Sequence, residues 1–135
     1  MGLFDEIKKS KKSATEESVE RKRILLVDDT WLGHISNALE LADYDVEIED
    51  SIRDAESALS SENFDLILIN FDNIEFEGIE YVEELHFAAP EIPILAIFVP
   101  EEMEMETLAA GASAVQGPDY EENALIEAVR KLIGE

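Results

Sequence analysis

The stretch from Asn63 to Gly78 reads NFDLILINFDNIEFEG. Four apolar residues, Leu66 to Ile69, run without interruption into Asn70, and Phe71 and Asp72 then lead into a turn. An unbroken apolar run of this length suits a strand covered on both faces, whereas a strand with one wet face alternates. Two further stretches share the character, RILLVDD at 23–29 and IPILAIFV at 92–99.

Working outward, each run is followed by a helical pattern. TWLGHISNALELA (30–42) spaces Leu32, Ile35 and Leu39 along one helix face, with Thr30 as its expected cap. DVEIED (45–50) alternates as a strand, and SIRDAESALSS (51–61) turns Ile52, Ala55 and Leu59 inward on a second helix. EGIEYVEELHFAA (77–89) predicts a third helix, and EEMEMETLAAG (101–111) a fourth that stops at Gly111. SAVQG (113–117) predicts a short last strand and YEENALIEAVRKLIG (120–134) a closing helix. Apolar strands alternating with amphipathic helices predict an α/β fold: a flavodoxin-like, doubly wound, five-stranded parallel sheet of order 2-1-3-4-5 with helices on both faces. Ligands in such sheets bind beyond the carboxyl ends of the strands, which puts Asp28, Asp29, Asn70 and Phe98 on one rim.

The 135 residues suffice for one domain with a real core and not for two ordinary ones. The domain is expected over residues 21–135. Residues 1–20 are read as a short amphipathic peptide, with Leu3, Phe4 and Ile7 on one side, followed by a flexible polar linker. That peptide is expected to dock on a partner protein, since three apolar residues and four lysines make a marginal membrane anchor. No apolar run is long enough to span a bilayer and no secretory signal is evident, so the expected location is the cytoplasm. With no cysteine, disulfides, thiol nucleophiles and thiolate metal sites are excluded. The two histidines, His34 and His86, are far apart and read as surface or packing residues.

The net charge is −23, unevenly spread: residues 1–23 carry a net +2 and the remainder −25. Nucleic-acid binding uses Lys and Arg to neutralise phosphates, so a surface this acidic is not expected to bind DNA or RNA. It suits a salty cytoplasm or a basic partner.

From about Arg21 to Gly134 the chain resembles the receiver domains of bacterial and archaeal response regulators (the CheY-like superfamily). The resemblance is carried by ILLVDD at the first strand, FDLILIN at the third, APEIPILAIF at the fourth and AAGASAVQGP around the fifth. It implies a phosphoacceptor at the position of Asn70, a phosphoryl-contacting hydroxyl at that of Phe98, and a lysine before Pro118 at that of Gly117. None is present, and no lysine lies between Lys22 and Lys131. A neutral amide is a poor nucleophile for phosphorus, and phenylalanine cannot donate the phosphoryl hydrogen bond. Asp28 and Asp29 match the family's acidic pair. Without a third carboxylate they are expected to hold magnesium weakly, as a vestigial site, or to be satisfied by the Asn70 amide instead.

The expectation is a non-enzymatic, degenerate pseudo-receiver that binds a signalling, motility or polarity protein without phosphorylation, as an adaptor or localisation module. The family's partner face implies Met103, Met105 and Tyr120 as contact residues. The alternative is an atypical phosphorelay receiver that uses Asp72 as acceptor with magnesium. A small-ligand sensor is the third reading, and it would need a pocket that Phe98 and Trp31 do not fill.

Overall fold

The computed structural model describes residues 21–28, 33–72 and 75–135, with Glu75 and Phe76 by backbone alone. The expectations placed on Leu3, Phe4, Ile7, Asp29 and Trp31 lie outside the described residues.

Five parallel strands form one sheet in the order β2-β1-β3-β4-β5. They are β1 (Arg23–Val27), β2 (Asp45–Glu49), β3 (Leu66–Asn70), β4 (Ile94–Ile97) and β5 (Ala114–Val115). The helices between and after them are α1 (His34–Leu41), α2 (Ile52–Ser61), α3 (Glu75–Ala88), α4 (Glu104–Ala110) and α5 (Glu122–Ile133). This is the flavodoxin-like topology expected from the alternation of strands and helices.

Period-two geometry divides the strand side chains between two cores. Leu25, Val27, Ile67, Ile69, Ile94 and Ala96 pack with Ala55 of α2, Val82 and Leu85 of α3, and Met103. Ile24, Leu26, Leu66, Leu68, Leu95 and Ile97 pack with Ile35 and Leu39 of α1 and Leu125 and Val129 of α5. Each fully buried Leu or Ile contributes roughly 1.5–3 kcal/mol from apolar burial, which is why β1, β3 and β4 tolerate no polar interruption before their ends.

Several local details depart from the sequence reading. Thr30, the expected cap of helix α1, lies outside the described residues. The helix begins at His34 behind Gly33, whose left-handed backbone (φ 76°) turns the chain into it, and the Ser36 hydroxyl donates back to the Gly33 carbonyl at 3.1 Å. The fourth helix is shorter than its pattern: a 3-10 turn at Glu101–Met103 precedes α4. That turn rolls Met103 into the core, while Met105 is 83% exposed and Leu108 half-buried. The expectation of Met103 as a partner contact is therefore corrected. The buried face of α4 is built on Met103 and Thr107, the latter donating its hydroxyl proton to the Met103 carbonyl at 2.7 Å.

Outer strand β2 is the acidic edge. Its Asp45 and Glu47 reach the guanidinium of Arg23 at 3.4 and 4.0 Å, and Glu62 reaches it at 2.8 Å. The same guanidinium lies over the Phe64 ring, 4.7 Å from its centroid.

Candidate rim site

The register places Val27 beside Ile69 and Asn70 beside Ile97, so Asp28, Asn70 and Phe98 end three neighbouring strands. Backbone bonds carry the ladder one step further. The Asp28 N–H donates to the Glu49 carbonyl at 3.1 Å and the Phe71 N–H to the Ile97 carbonyl at 2.9 Å. Both Asp28 and Asn70 are buried, at 8% and 4% exposure.

Asn70 is oriented by the turn that follows it. Its Oδ1 accepts the Asp72 N–H at 2.8 Å, an Asx-turn closure. Sequence reasoning expected the amide to donate to the acidic pair. The carbonyl oxygen holds the β3–α3 turn, and Asp29 of that pair lies outside the described residues. Behind the turn, the Phe71 ring is fully buried and lies where a Cβ on Gly78 would fall, 2.6–2.7 Å from three ring atoms. Glycine thus lets α3 close down on the end of β3.

Phe98 adopts φ 59°, a left-handed conformation that costs a residue with a Cβ roughly 1–2 kcal/mol. That backbone carries its ring onto Tyr120, with centroids 5.8 Å apart and planes 16° from parallel. The ring also packs against the α1–α5 core. Tyr120 remains 42% exposed, and burial, with the charge of Glu122, raises its hydroxyl above the ordinary tyrosine value. Tyr120 was expected on a partner face. It is the exposed outer leaf of an aromatic pair at the rim, a pairing that no sequence spacing announces.

These groups enclose a cavity of about 320 Å³, lined by Asp28, His34, Ile35, Asn70, Asp72, Phe98, Tyr120 and Glu122. Phe98 forms part of its wall without filling it, and Trp31, the other residue expected at this pocket, lies outside the described residues. His34 reaches it from the first turn of α1, whereas His86 packs against Gly111 on the far helix layer. Gly117, at the place of the family's lysine, has open space around it. Among the described residues no group of three His, Asp or Glu side chains could hold a metal ion.

With sheet order, register and rim in hand, the fold is that of response-regulator receiver domains. A CheY-like receiver domain protein from Methanospirillum hungatei JF-1 is 27% identical, with TM-score 0.75 over 85% of this chain and 95% of its own. A response regulator from Thermotoga maritima is 19% identical, with TM-score 0.74 over 86% of this chain and 100% of its own. The receiver domain of the sensor histidine kinase PA1611 from Pseudomonas aeruginosa PAO1, which has magnesium coordinated in its active-site cleft, is 20% identical, with TM-score 0.73 over 86% of this chain and 100% of its own. No family model matches the chain, and no curated protein does. Among the described residues, no helix is long and apolar enough to cross a membrane.

Proposed function

We propose that the protein is a signalling module of receiver fold that binds its partner without being phosphorylated. The observation that carries this reading is the double occupation of the phosphorylation rim: the Asn70 oxygen is spent on the Asp72 turn, and Phe98 stands stacked on Tyr120 where a hydroxyl would be required. An amide offers no nucleophilic oxygen comparable to a carboxylate, and no lysine near Gly117 can balance the charge of a transferred group. Asn70, Phe98 and Gly117 thus supply none of the groups that phosphotransfer would use at those positions. The work then falls to the surface, where Met105, Leu108 and the acidic residues of α4 suit an adaptable contact with a basic, partly apolar signalling or polarity protein.

A second reading is favoured by one feature: Asp72 lines the same cavity as Asp28. It makes Asp72 the acceptor of a magnesium-dependent phosphorelay. Incubation with acetyl phosphate and magnesium, followed by intact-mass measurement, separates the two. An unchanged mass supports the phosphorylation-independent module. A base-labile adduct of one phosphoryl mass, lost in Asp72→Asn, overturns it.

A further inference from the structure

The rim cavity has features that neither partner docking nor phosphotransfer uses. Its volume, about 320 Å³, lies at the low end of the ~300–1,000 Å³ typical of small-molecule clefts, so it suits one ring system with a small substituent. One wall is aromatic, formed by the parallel Phe98 and Tyr120 rings, and the half-exposed Tyr120 leaves ring surface for a third plane.

The polar groups are asymmetric. Asp28, Asp72 and Glu122 are acceptors, and no Lys or Arg is among the described lining residues. Asn70, 4% exposed, also lines the cavity, and its Oδ1 accepts the Asp72 N–H. A ligand seated here would present a ring acceptor toward the Asn70 amide and amino donors toward the carboxylates. Its flat face would lie against the aromatic pair. Phosphate or carboxylate groups would be repelled, both by the three lining acids and by a net charge of −23.

We infer that this cavity binds a small planar heteroaromatic molecule carrying an amino group beside a ring acceptor, of the nucleobase or nucleoside class and without phosphate. The ring nitrogen or carbonyl of such a base accepts from Asn70, its exocyclic amino group donates to Asp72, and the ring stacks on Tyr120. This goes beyond the signalling role proposed above and stands independently of it. The occupied cavity would tie the ends of β1, β3 and β4 to α5.

The test is calorimetric titration of the full chain with adenosine and with cytidine, run beside AMP and benzamidine. Amide spectra of the labelled protein would locate any binding. The expected result is saturable one-to-one binding of at least one nucleoside, with shifts at Asn70 and Tyr120. Tyr120→Ala should weaken it about tenfold, the scale of one lost stacking contact. Asp72→Asn and Glu122→Gln, both near the solvent edge, should keep the fold and narrow the gap between nucleoside and AMP. AMP should bind at least tenfold more weakly at low salt, and the difference should shrink as salt screens the acids. The inference is overturned if no nucleoside saturates, if AMP matches adenosine at low salt, or if Tyr120→Ala changes nothing. It is equally overturned if benzamidine or magnesium alone shifts the rim resonances and nucleosides do not, which would make the cavity a plain cation site.

Discussion

The ring of Phe98 lies 5.8 Å from that of Tyr120 and nearly parallel to it, and Phe98 reaches this position with φ 59°. Stacking of this kind contributes about 0.5–1.5 kcal/mol beyond area burial, comparable to the cost of the left-handed backbone. The two effects are separable. Phe98→Ala loses the ring and keeps the strain, whereas Phe98→Asn loses the ring but places a residue that tolerates this backbone. Asparagine should be the more stable variant by about 0.5–1 kcal/mol in urea denaturation. Equal stabilities would show that the backbone at Phe98 carries no strain.

Asn70→Asp keeps the acceptor for the Asp72 N–H and adds a negative charge beside Asp28 at a position 4% exposed. Burial and the neighbouring carboxylate both raise the new group's pKa, so the folded protein favours its protonated form. The variant's stability relative to the parent should be highest below the ordinary aspartate range and fall as pH rises through the raised value. Millimolar magnesium should recover part of the loss. Thermal unfolding at pH 5 and pH 8, with and without magnesium, checks both statements.

Arg23 joins Asp45, Glu47 and Glu62 and covers the Phe64 ring. In a chain of net charge −23 this cation sits where repulsion between β2 and the end of α2 would otherwise act unopposed. Its side chain is 29% exposed, so the pairs are partly screened. Arg23→Ala should lose about 1–2 kcal/mol at low salt and distinctly less at 1 M salt. A loss independent of salt would assign the role of Arg23 to packing on Phe64.

Gly78 lies within α3, where alanine would ordinarily gain about 1 kcal/mol of helix propensity. Here the added Cβ meets the Phe71 ring at 2.6–2.7 Å. Because Phe71 is fully buried it has no room to withdraw, and Gly78→Ala should destabilise by about 1–3 kcal/mol. A neutral or stabilised variant would contradict the close approach.

Glu49 is raised from 4.5 to about 7 by its hydrogen bond to Glu47, then by burial and by the charges of Glu47, Asp54 and Asp50. A folded value above the unfolded one means that the native state holds the proton more tightly. Its stabilising contribution is complete below about pH 4.5 and is lost as pH rises through 7. Glu49→Gln should flatten the pH dependence of stability between those limits and leave the variant more stable than the parent at pH 8. Chemical denaturation at intervals across the range would show it, and parallel profiles for the two proteins would refute it.

The fold was legible because its signal is repetitive. Unbroken apolar runs at 24–27, 66–69 and 94–97 can be satisfied only by burial on both faces, and the helices between them leave few topologies. The positions of Asp28, Asn70 and Phe98 at strand ends followed from the same pattern, as did the absence of a lysine near Gly117. Alternation alone could not show that the 3-10 turn at Glu101–Met103 rotates Met103 inward and leaves Met105 outside.

Residue types along the chain by themselves determined the parallel sheet, its acidity and the amide that ends β3, since each depends on local pattern or chemical identity. Only the tertiary structure decided what the rim became. The Asn70–Asp72 bond, the Phe98 backbone and the meeting of Phe98 with a tyrosine 22 positions later depend on register and loop paths, which bring distant residues within a few ångströms. Hydrophobic periodicity carries no information at that scale. The cavity they leave is therefore a property of the folded chain.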